Sequence, residues 1–131
     1  MAEKLKAKTV LIIDDEADVR LFTKRVLELE GCRVFEAEDG LEGLKLAREN
    51  PLALILLDLR LPGYDGWSVL SQLKNEPELS AIPVIMLTAS VEASQRSRAL
   101  AAGATDYLVK PLSAASLRET ITRVLHQKRK G

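Results

Sequence analysis

The chain is poor in reactive and aromatic side chains: one cysteine, one histidine, one tryptophan, two phenylalanines and two tyrosines among 131 residues. A lone cysteine, Cys32, permits no disulfide within the chain, which fits a reducing compartment. The residue reads as a small buried hydrophobe in preference to a redox group. One histidine and one cysteine supply no ligand set for zinc or copper. No apolar run is long enough to span a bilayer. Met1 to Lys8 is polar and basic and lacks the apolar centre of a signal peptide, so the expected location is cytoplasmic. There is no excess charge either: 19 basic residues balance 19 acidic ones. That balance argues against direct nucleic-acid binding through bulk charge. No glycine-rich phosphate loop is present, so a nucleotide is not the expected ligand. Internal repeats and low-complexity stretches are missing as well.

What is present is a set of short apolar runs, each ending in a polar residue. Leu54-Ile55-Leu56-Leu57 ends in Asp58, and Val10-Leu11-Ile12-Ile13 ends in Asp14-Asp15. Val84-Ile85-Met86-Leu87 ends in Thr88, and Tyr107-Leu108-Val109 ends in Lys110. An unbroken apolar run suggests a strand covered on both faces, as in a parallel sheet. Open parallel sheets place their ligands at the carboxyl ends of the strands. If these four strands are parallel, three carboxylates, a hydroxyl and an ammonium converge on one edge.

With 47% hydrophobic and 29% charged residues, the chain has the composition of a globular protein. Its length fits one domain, residues 1–131, with a core at about 9–125 and short basic termini. The first strand is expected at Thr9 to Ile13. A helix follows at about Glu16 to Glu30, with Val19, Phe22, Val26 and Leu29 on its inner face and Gly31 as its left-handed cap. Arg33 to Ala37 alternates in polarity and reads as an edge strand. Asp39 can cap a second helix at Gly40 to Glu49, which Asn50-Pro51 stops.

The central strand is Ala53 to Leu57. Gly66 opens a third helix that packs Val69, Leu70 and Leu73, and residues 75–81 form a loop. Ile82 to Leu87 is the fourth strand. Ser90 to Ala102 reads as a weakly held helix, because its inner face is mostly alanine and buries little area. Thr105 to Val109 is the fifth strand. Ser113 can cap a last helix with Leu117, Ile121, Val124 and Leu125 facing inward. Strand–helix alternation of this kind implies right-handed crossovers and an α/β doubly wound, flavodoxin-like (βα)5 fold. The expected strand order is 2-1-3-4-5.

Asp14, Asp15 and Asp58 cannot share a site unaided, since two carboxylates about 4 Å apart repel by roughly 4 kcal/mol at an effective dielectric near 20. Either a carboxyl pKa rises or a cation binds. Oxygen-only ligands favour a hard ion such as Mg²⁺, with positions left for water and a phosphoryl oxygen. Lys110 and Thr88 would add a positive charge and a hydrogen bond. The simplest role for Asp58 is then nucleophile, giving an aspartyl phosphate.

Asp14-Asp15, Asp58-x-x-x-Pro62-x-x-x-Gly66, Thr88-Ala89 and Gly103-Ala104-x-Asp106-Tyr107-x-x-Lys110-Pro111 stand in order. Together they resemble the receiver domain of two-component response regulators, and the resemblance runs from about Thr9 to Leu125. It implies that Asp58 accepts a phosphoryl group from a phosphohistidine on a sensor histidine kinase or a histidine phosphotransfer protein. It further implies that Asp14, Asp15, Asp58 and the backbone carbonyl of Arg60 hold Mg²⁺, and that Thr88 and Lys110 bind the phosphoryl oxygens. Tyr107 matches the switch aromatic, and a cis peptide is implied between Lys110 and Pro111. Such a domain is a phosphoacceptor with self-catalysed transfer and slow autodephosphorylation, not an enzyme in the usual sense. A phosphorylation-dependent homodimer is compatible with it. Leu61 stands where methionine is frequent in the family, and Arg60 and Ser90 occupy positions that tune phosphoryl lifetime.

Competing readings are an aspartyl-phosphate phosphatase, a phosphorylation-independent docking module and a flavin-binding domain. The phosphatase lacks an insertion long enough to cap a substrate. The complete acid, hydroxyl and lysine set argues against pure docking. The three acids would repel a flavin phosphate, though Tyr64 and Trp67 could stack on a ring. A stand-alone regulator and a receiver cut from a larger protein both remain open, as does the downstream partner or output domain.

Overall fold

The computed structural model describes residues 5–127. Five strands alternate with five helices: β1 (Thr9–Ile13), α1 (Ala17–Leu29), β2 (Arg33–Ala37), α2 (Gly40–Glu49), β3 (Leu54–Asp58), α3 (Gly66–Asn75), β4 (Val84–Thr88), α4 (Ala93–Ala101), β5 (Asp106–Val109) and α5 (Ala114–Gln127). All strand pairs are parallel and the order is β2-β1-β3-β4-β5, as the polarity of the segments implies. The basic tail from Lys128 and the first four residues lie outside the described residues.

Alternation along each strand divides the core between the two faces of the sheet. Leu11, Ile13, Ile55, Leu57, Val84 and Met86 pack with Leu44 of α2 and with Val69, Leu70 and Leu73 of α3. Val10, Ile12, Leu54, Leu56, Ile85 and Leu87 pack on the other face with Leu27 of α1 and with Leu117, Ile121 and Val124 of α5. Every residue of β3 and β4 is buried, which is why both read as unbroken apolar runs. Edge strand β2 keeps only Ala37 buried.

Local chemistry sets the helix starts. The Asp39 carboxylate accepts from the Glu42 amide at 2.9 Å, and the Ser113 hydroxyl accepts from the Ser116 amide at 3.0 Å. Asp65, not singled out from the sequence, caps α3 through the Ser68 amide at 2.9 Å. Gly31 takes φ +91°, the left-handed conformation expected after α1.

Several boundaries and one helix face differ from expectation. β4 begins at Val84, not Ile82, because Pro83 has no amide to give; its carbonyl accepts from Ile55 at 3.0 Å. β3 and β4 each run one residue further than expected, so Asp58 and Thr88 are the last residues of their strands. α4 begins at Ala93, not Ser90, because the Ser90 hydroxyl accepts from the Glu92 amide and holds a turn there. In α1 the buried residues are Thr23, Val26 and Leu27. Phe22 is 40% exposed and Leu29 85% exposed, so two of the four expected inner residues face outward. Leu27 takes the inner position at the end of the helix, where buried Leu5 and Cys32 complete the packing.

Cys32 is the buried hydrophobe expected. The residue is 6% exposed, and its thiol donates to the Leu5 carbonyl at 3.4 Å and is pushed up to about 11 by burial with help from Glu30. Thiolate is the reactive form, so native-state alkylation at pH 8 is expected to run about a hundredfold slower than for a free thiol. Iodoacetamide labelling followed by mass spectrometry checks this. A rate matching that of the urea-unfolded chain would show the thiol to be accessible.

Candidate functional site

Parallel pairing brings the ends of β1, β3, β4 and β5 to one edge. Asp14 follows β1 and is fully buried, while Asp58 and Thr88 are each 4% exposed. Asp15 is exposed beside them. One carboxylate oxygen each from Asp14, Asp15 and Asp58 lies within 4.8 Å of the other two. Lys110, just past β5, extends its ammonium into this group. Its Nζ lies 2.9 Å from Asp14 Oδ2, 2.9 Å from Glu16 Oε1 and 3.3 Å from Asp58 Oδ2.

Each acid is held by the backbone around it. Asp58 Oδ1 accepts from the Arg60 amide at 3.1 Å, and Asp14 Oδ1 accepts from the Glu16 amide at 2.9 Å. Asp14 Oδ2 is buried, and although Lys110 is close, no hydrogen bond is aligned on it. A buried carboxylate oxygen without an aligned donor is unusual. Such an oxygen, among donors that are all oxygen, suits a hard cation. The residues present therefore fit a metal ion.

Burial pushes the Asp58 carboxyl up to about 6. The Arg60 amide opposes that rise, the neighbouring Asp14 charge adds to it, and Lys110 opposes it again. Burial would lower the Lys110 ammonium, but the carboxylates of Asp14 and Glu16, with Asp58, carry it above its ordinary value. The lysine is therefore a permanent cation, and Asp58 is ionised at neutral pH at a cost.

A cleft of about 850 Å³ opens on this edge, with Asp15, Asp58 and Lys110 beside apolar Phe22, Leu61 and Leu112. Arg60 lies on its rim with an exposed side chain. Thr88 and Tyr107 meet through Ser90: Thr88 Oγ1 accepts from the Ser90 amide at 3.0 Å, and the Tyr107 hydroxyl donates to the Ser90 carbonyl at 2.9 Å. The Tyr107 side chain is turned inward, at 8% exposure. The Lys110–Pro111 peptide is cis.

Asp14, Asp15, Asp58 and Lys110 thus come together, and Thr88 and Tyr107 form a connected branch. Sequence reading missed Glu16 as a partner of Lys110, because the residue serves equally well as the acidic start of α1. It missed Ser90 as the joint between Thr88 and Tyr107, since the contacts there are made by backbone atoms that no residue type announces.

Fold and site define a flavodoxin-like α/β domain whose carboxyl edge carries a lysine-bridged acid cluster able to hold a cation. Residues 10–122 match the response regulator receiver domain, and the chain belongs to that family. It is 44% identical over 115 residues to the transcriptional regulatory protein SrrA of Staphylococcus aureus. That match takes in 88% of this chain and 45% of SrrA, so the chain spans about half the length of the curated relatives it matches. A response regulator of Chloroflexus aurantiacus J-10-fl superposes with TM-score 0.87 at 32% identity, covering 92% of this chain and 99% of the other. The chemotaxis response regulator CheY4 of Vibrio cholerae gives TM-score 0.86 at 28% identity, covering 91% and 99%.

Proposed function

We propose that this receiver domain is the phosphoacceptor of a two-component relay, with Asp58 taking a phosphoryl group from a phosphohistidine in a Mg²⁺-dependent reaction. The observation that carries this is the buried Asp58 carboxylate, raised to about 6, with Lys110 at 3.3 Å and two further acids beside it. The donor is a sensor histidine kinase or a histidine phosphotransfer protein.

An Asp58 oxygen attacks phosphorus as the phosphorus–imidazole bond breaks, and the electron pair leaves with the imidazole. Asp14, Asp15, Asp58 and the Arg60 carbonyl would hold Mg²⁺, which when bound neutralises charge on the carboxylates and the phosphoryl oxygens. Lys110 sets a fixed positive charge against the transferred group. The Thr88 hydroxyl accepts from Ser90, and its own proton is available to a phosphoryl oxygen.

If Thr88 turns to the phosphate, its bond to the Ser90 amide breaks. The segment that Tyr107 grips by the Ser90 carbonyl is then released to move, and α4 follows. Only Ala99 of α4 is buried, so that helix is the least anchored of the five. The face formed by α4, β5 and α5 would carry the signal to a partner, an output domain or a phosphorylation-dependent homodimer. The domain acts as a switch with self-catalysed transfer and slow autodephosphorylation, not as a turnover enzyme.

SrrA is a transcriptional regulatory protein. A transcriptional output carried elsewhere fits a domain whose net charge of zero gives no direct hold on nucleic acid. Among the described residues no helix is long and apolar enough to cross a membrane, in keeping with a cytoplasmic regulator.

The test is intact-mass spectrometry after incubation with acetyl phosphate. One phosphoryl group is expected with Mg²⁺ and none with EDTA in its place. Incorporation that ignores the chelator, or that maps to a residue other than Asp58, would overturn the assignment.

A further inference from the structure

Asp14 is fixed on three sides. Its amide donates to the Ala37 carbonyl of β2 at 3.0 Å, and its Oδ1 accepts from the Glu16 amide. Its backbone carbonyl accepts from Arg20 Nη1 at 2.8 Å. The third contact comes from Arg20 of α1, a residue with no other part in the proposed chemistry.

The Arg20 side chain is only 14% exposed, and a guanidinium so enclosed needs a counter-charge. Glu36 of β2 supplies it: Arg20 Nε donates to Glu36 Oε1 at 3.2 Å, while Lys24 lies 3.4 Å from Glu36 Oε2. Nε and Nη1 belong to one rigid plane. The position of Glu36 on the sheet therefore sets where Nη1 points, and so where the Asp14 carbonyl is held. The Arg20 amide donates to the Glu16 carbonyl at 3.1 Å, the first hydrogen bond of α1, so Arg20 is also tied to the residue that follows the Asp14–Asp15 turn.

We infer that Arg20, anchored on Glu36, is a positioning residue for the Asp14–Asp15 turn. By holding the Asp14 carbonyl it directs the remaining carboxylate oxygens of that turn toward Asp58. The inference rests on the reading that these acids hold Mg²⁺, and it adds a determinant of ion affinity that does not itself touch the ion. Ligand geometry must be kept within roughly half an ångström for tight binding, and contacts that hold a metal ligand are commonly worth tenfold or more in affinity. A lysine at position 20 has a single nitrogen. It can reach the carbonyl or the glutamate, but it lacks the rigid fork that links them.

The experiment is titration of the folded protein with MgCl₂ alone, followed by the backbone amide signals of the Asp14–Glu16 turn. Wild type, Arg20→Ala, Arg20→Lys and Glu36→Gln are compared, and urea midpoints are measured in parallel in EDTA. Arg20→Ala is expected to weaken Mg²⁺ binding about tenfold, with Arg20→Lys and Glu36→Gln in between. Should Arg20→Ala fail to fold, the other two variants carry the test by the same criterion. Variants that unfold more easily yet bind Mg²⁺ within twofold of wild type would show a merely structural arginine and overturn the inference. A wild type that binds no Mg²⁺ would instead refute the metal reading itself, and the inference with it.

Discussion

Asp58→Asn is expected to take up no phosphoryl group from acetyl phosphate and, in EDTA at pH 7.5, to be more stable than wild type. Loss of uptake follows from loss of the nucleophile. The gain in stability follows from the Asp58 carboxyl, which burial raises from 3.8 to about 6. An acid whose folded-state pKa lies above its unfolded value binds more protons folded than unfolded, so stability falls as pH rises between the two. Below about pH 4 both states are protonated and the penalty is absent. Above about pH 6 it is fully present, and at ~1.4 kcal/mol per pH unit it is on the order of 3 kcal/mol at most. Asparagine has the same shape, can still accept from the Arg60 amide, and carries no charge to desolvate. Lys110 keeps Asp14 and Glu16 as partners. Urea denaturation from pH 4 to 8 checks the curve: the two proteins should converge at the acid end and separate toward neutrality. Mg²⁺ should narrow the gap by stabilising wild type more than the variant, which has one carboxylate fewer to offer the ion. An asparagine variant no more stable than wild type at pH 7.5 in EDTA would contradict the account of the site as a strained cluster of charge.

The strained edge was legible in the sequence, and so were the strands that build it. Residues 54–58 announce themselves because a strand covered on both faces has no polar position until it emerges, and the first polar residue is therefore at the ligand edge. The same logic located Asp14, Thr88 and Lys110. Helix α1 was harder. Val19, Phe22, Val26 and Leu29 form a regular apolar stripe, yet the buried stripe contains Thr23 and Leu27. Phe22 reaches the cleft instead, and Leu29 faces solvent. A helix with apolar residues at 19, 21, 22, 26, 27 and 29 offers two overlapping stripes, and only packing against α5 and β2 chooses between them. Arg20 and Glu16 were illegible for a related reason. Each is an ordinary charged residue on an exposed-looking helix start, and its role depends on where β2 and β5 bring Glu36 and Lys110.

The weak helix α4 was anticipated from its alanines, and the structure adds two details. Gln95 Oε1 is buried among its neighbours with no hydrogen-bond partner, an arrangement that costs roughly 1–3 kcal/mol. Arg98 meanwhile stacks on Trp67 of α3, with its guanidinium carbon 3.9 Å from the ring centroid, a contact worth about 0.5–1 kcal/mol at a surface. A helix that buries one alanine, strands one amide oxygen and leans on one cation–π contact has little to lose by shifting. A helix held so weakly can shift at little cost, which suits the switching role proposed for the face it forms with β5 and α5.

Gly66→Ala is expected to be the most damaging single-methyl change in the chain. Gly66 opens α3, and its amide donates to the Leu59 carbonyl at 3.1 Å. A Cβ built there would lie 2.3 Å from the Asp58 carbonyl oxygen, 2.6 Å from Leu59 Cα and 2.9 Å from the Leu59 carbonyl oxygen. All three are backbone atoms, so no side chain can swing aside. The backbone of β3's last residue has to move, and with it the Asp58 carboxylate. Overpacking of this kind costs about 1–3 kcal/mol, occasionally more, and here the displaced atoms belong to the site. Gly63→Ala makes the control. Gly63 has φ +68° but nothing within 4 Å of an added Cβ, so alanine there should cost only about 1 kcal/mol of backbone strain. The two variants separate space from conformation: urea midpoints should fall far more for Gly66→Ala, and phosphoryl uptake should collapse for that variant while Gly63→Ala stays near wild type. Equal damage from both would mean that the glycine after Pro62 matters for flexibility, and that the close approach of α3 to the Asp58 backbone is not what demands a glycine at the head of the helix.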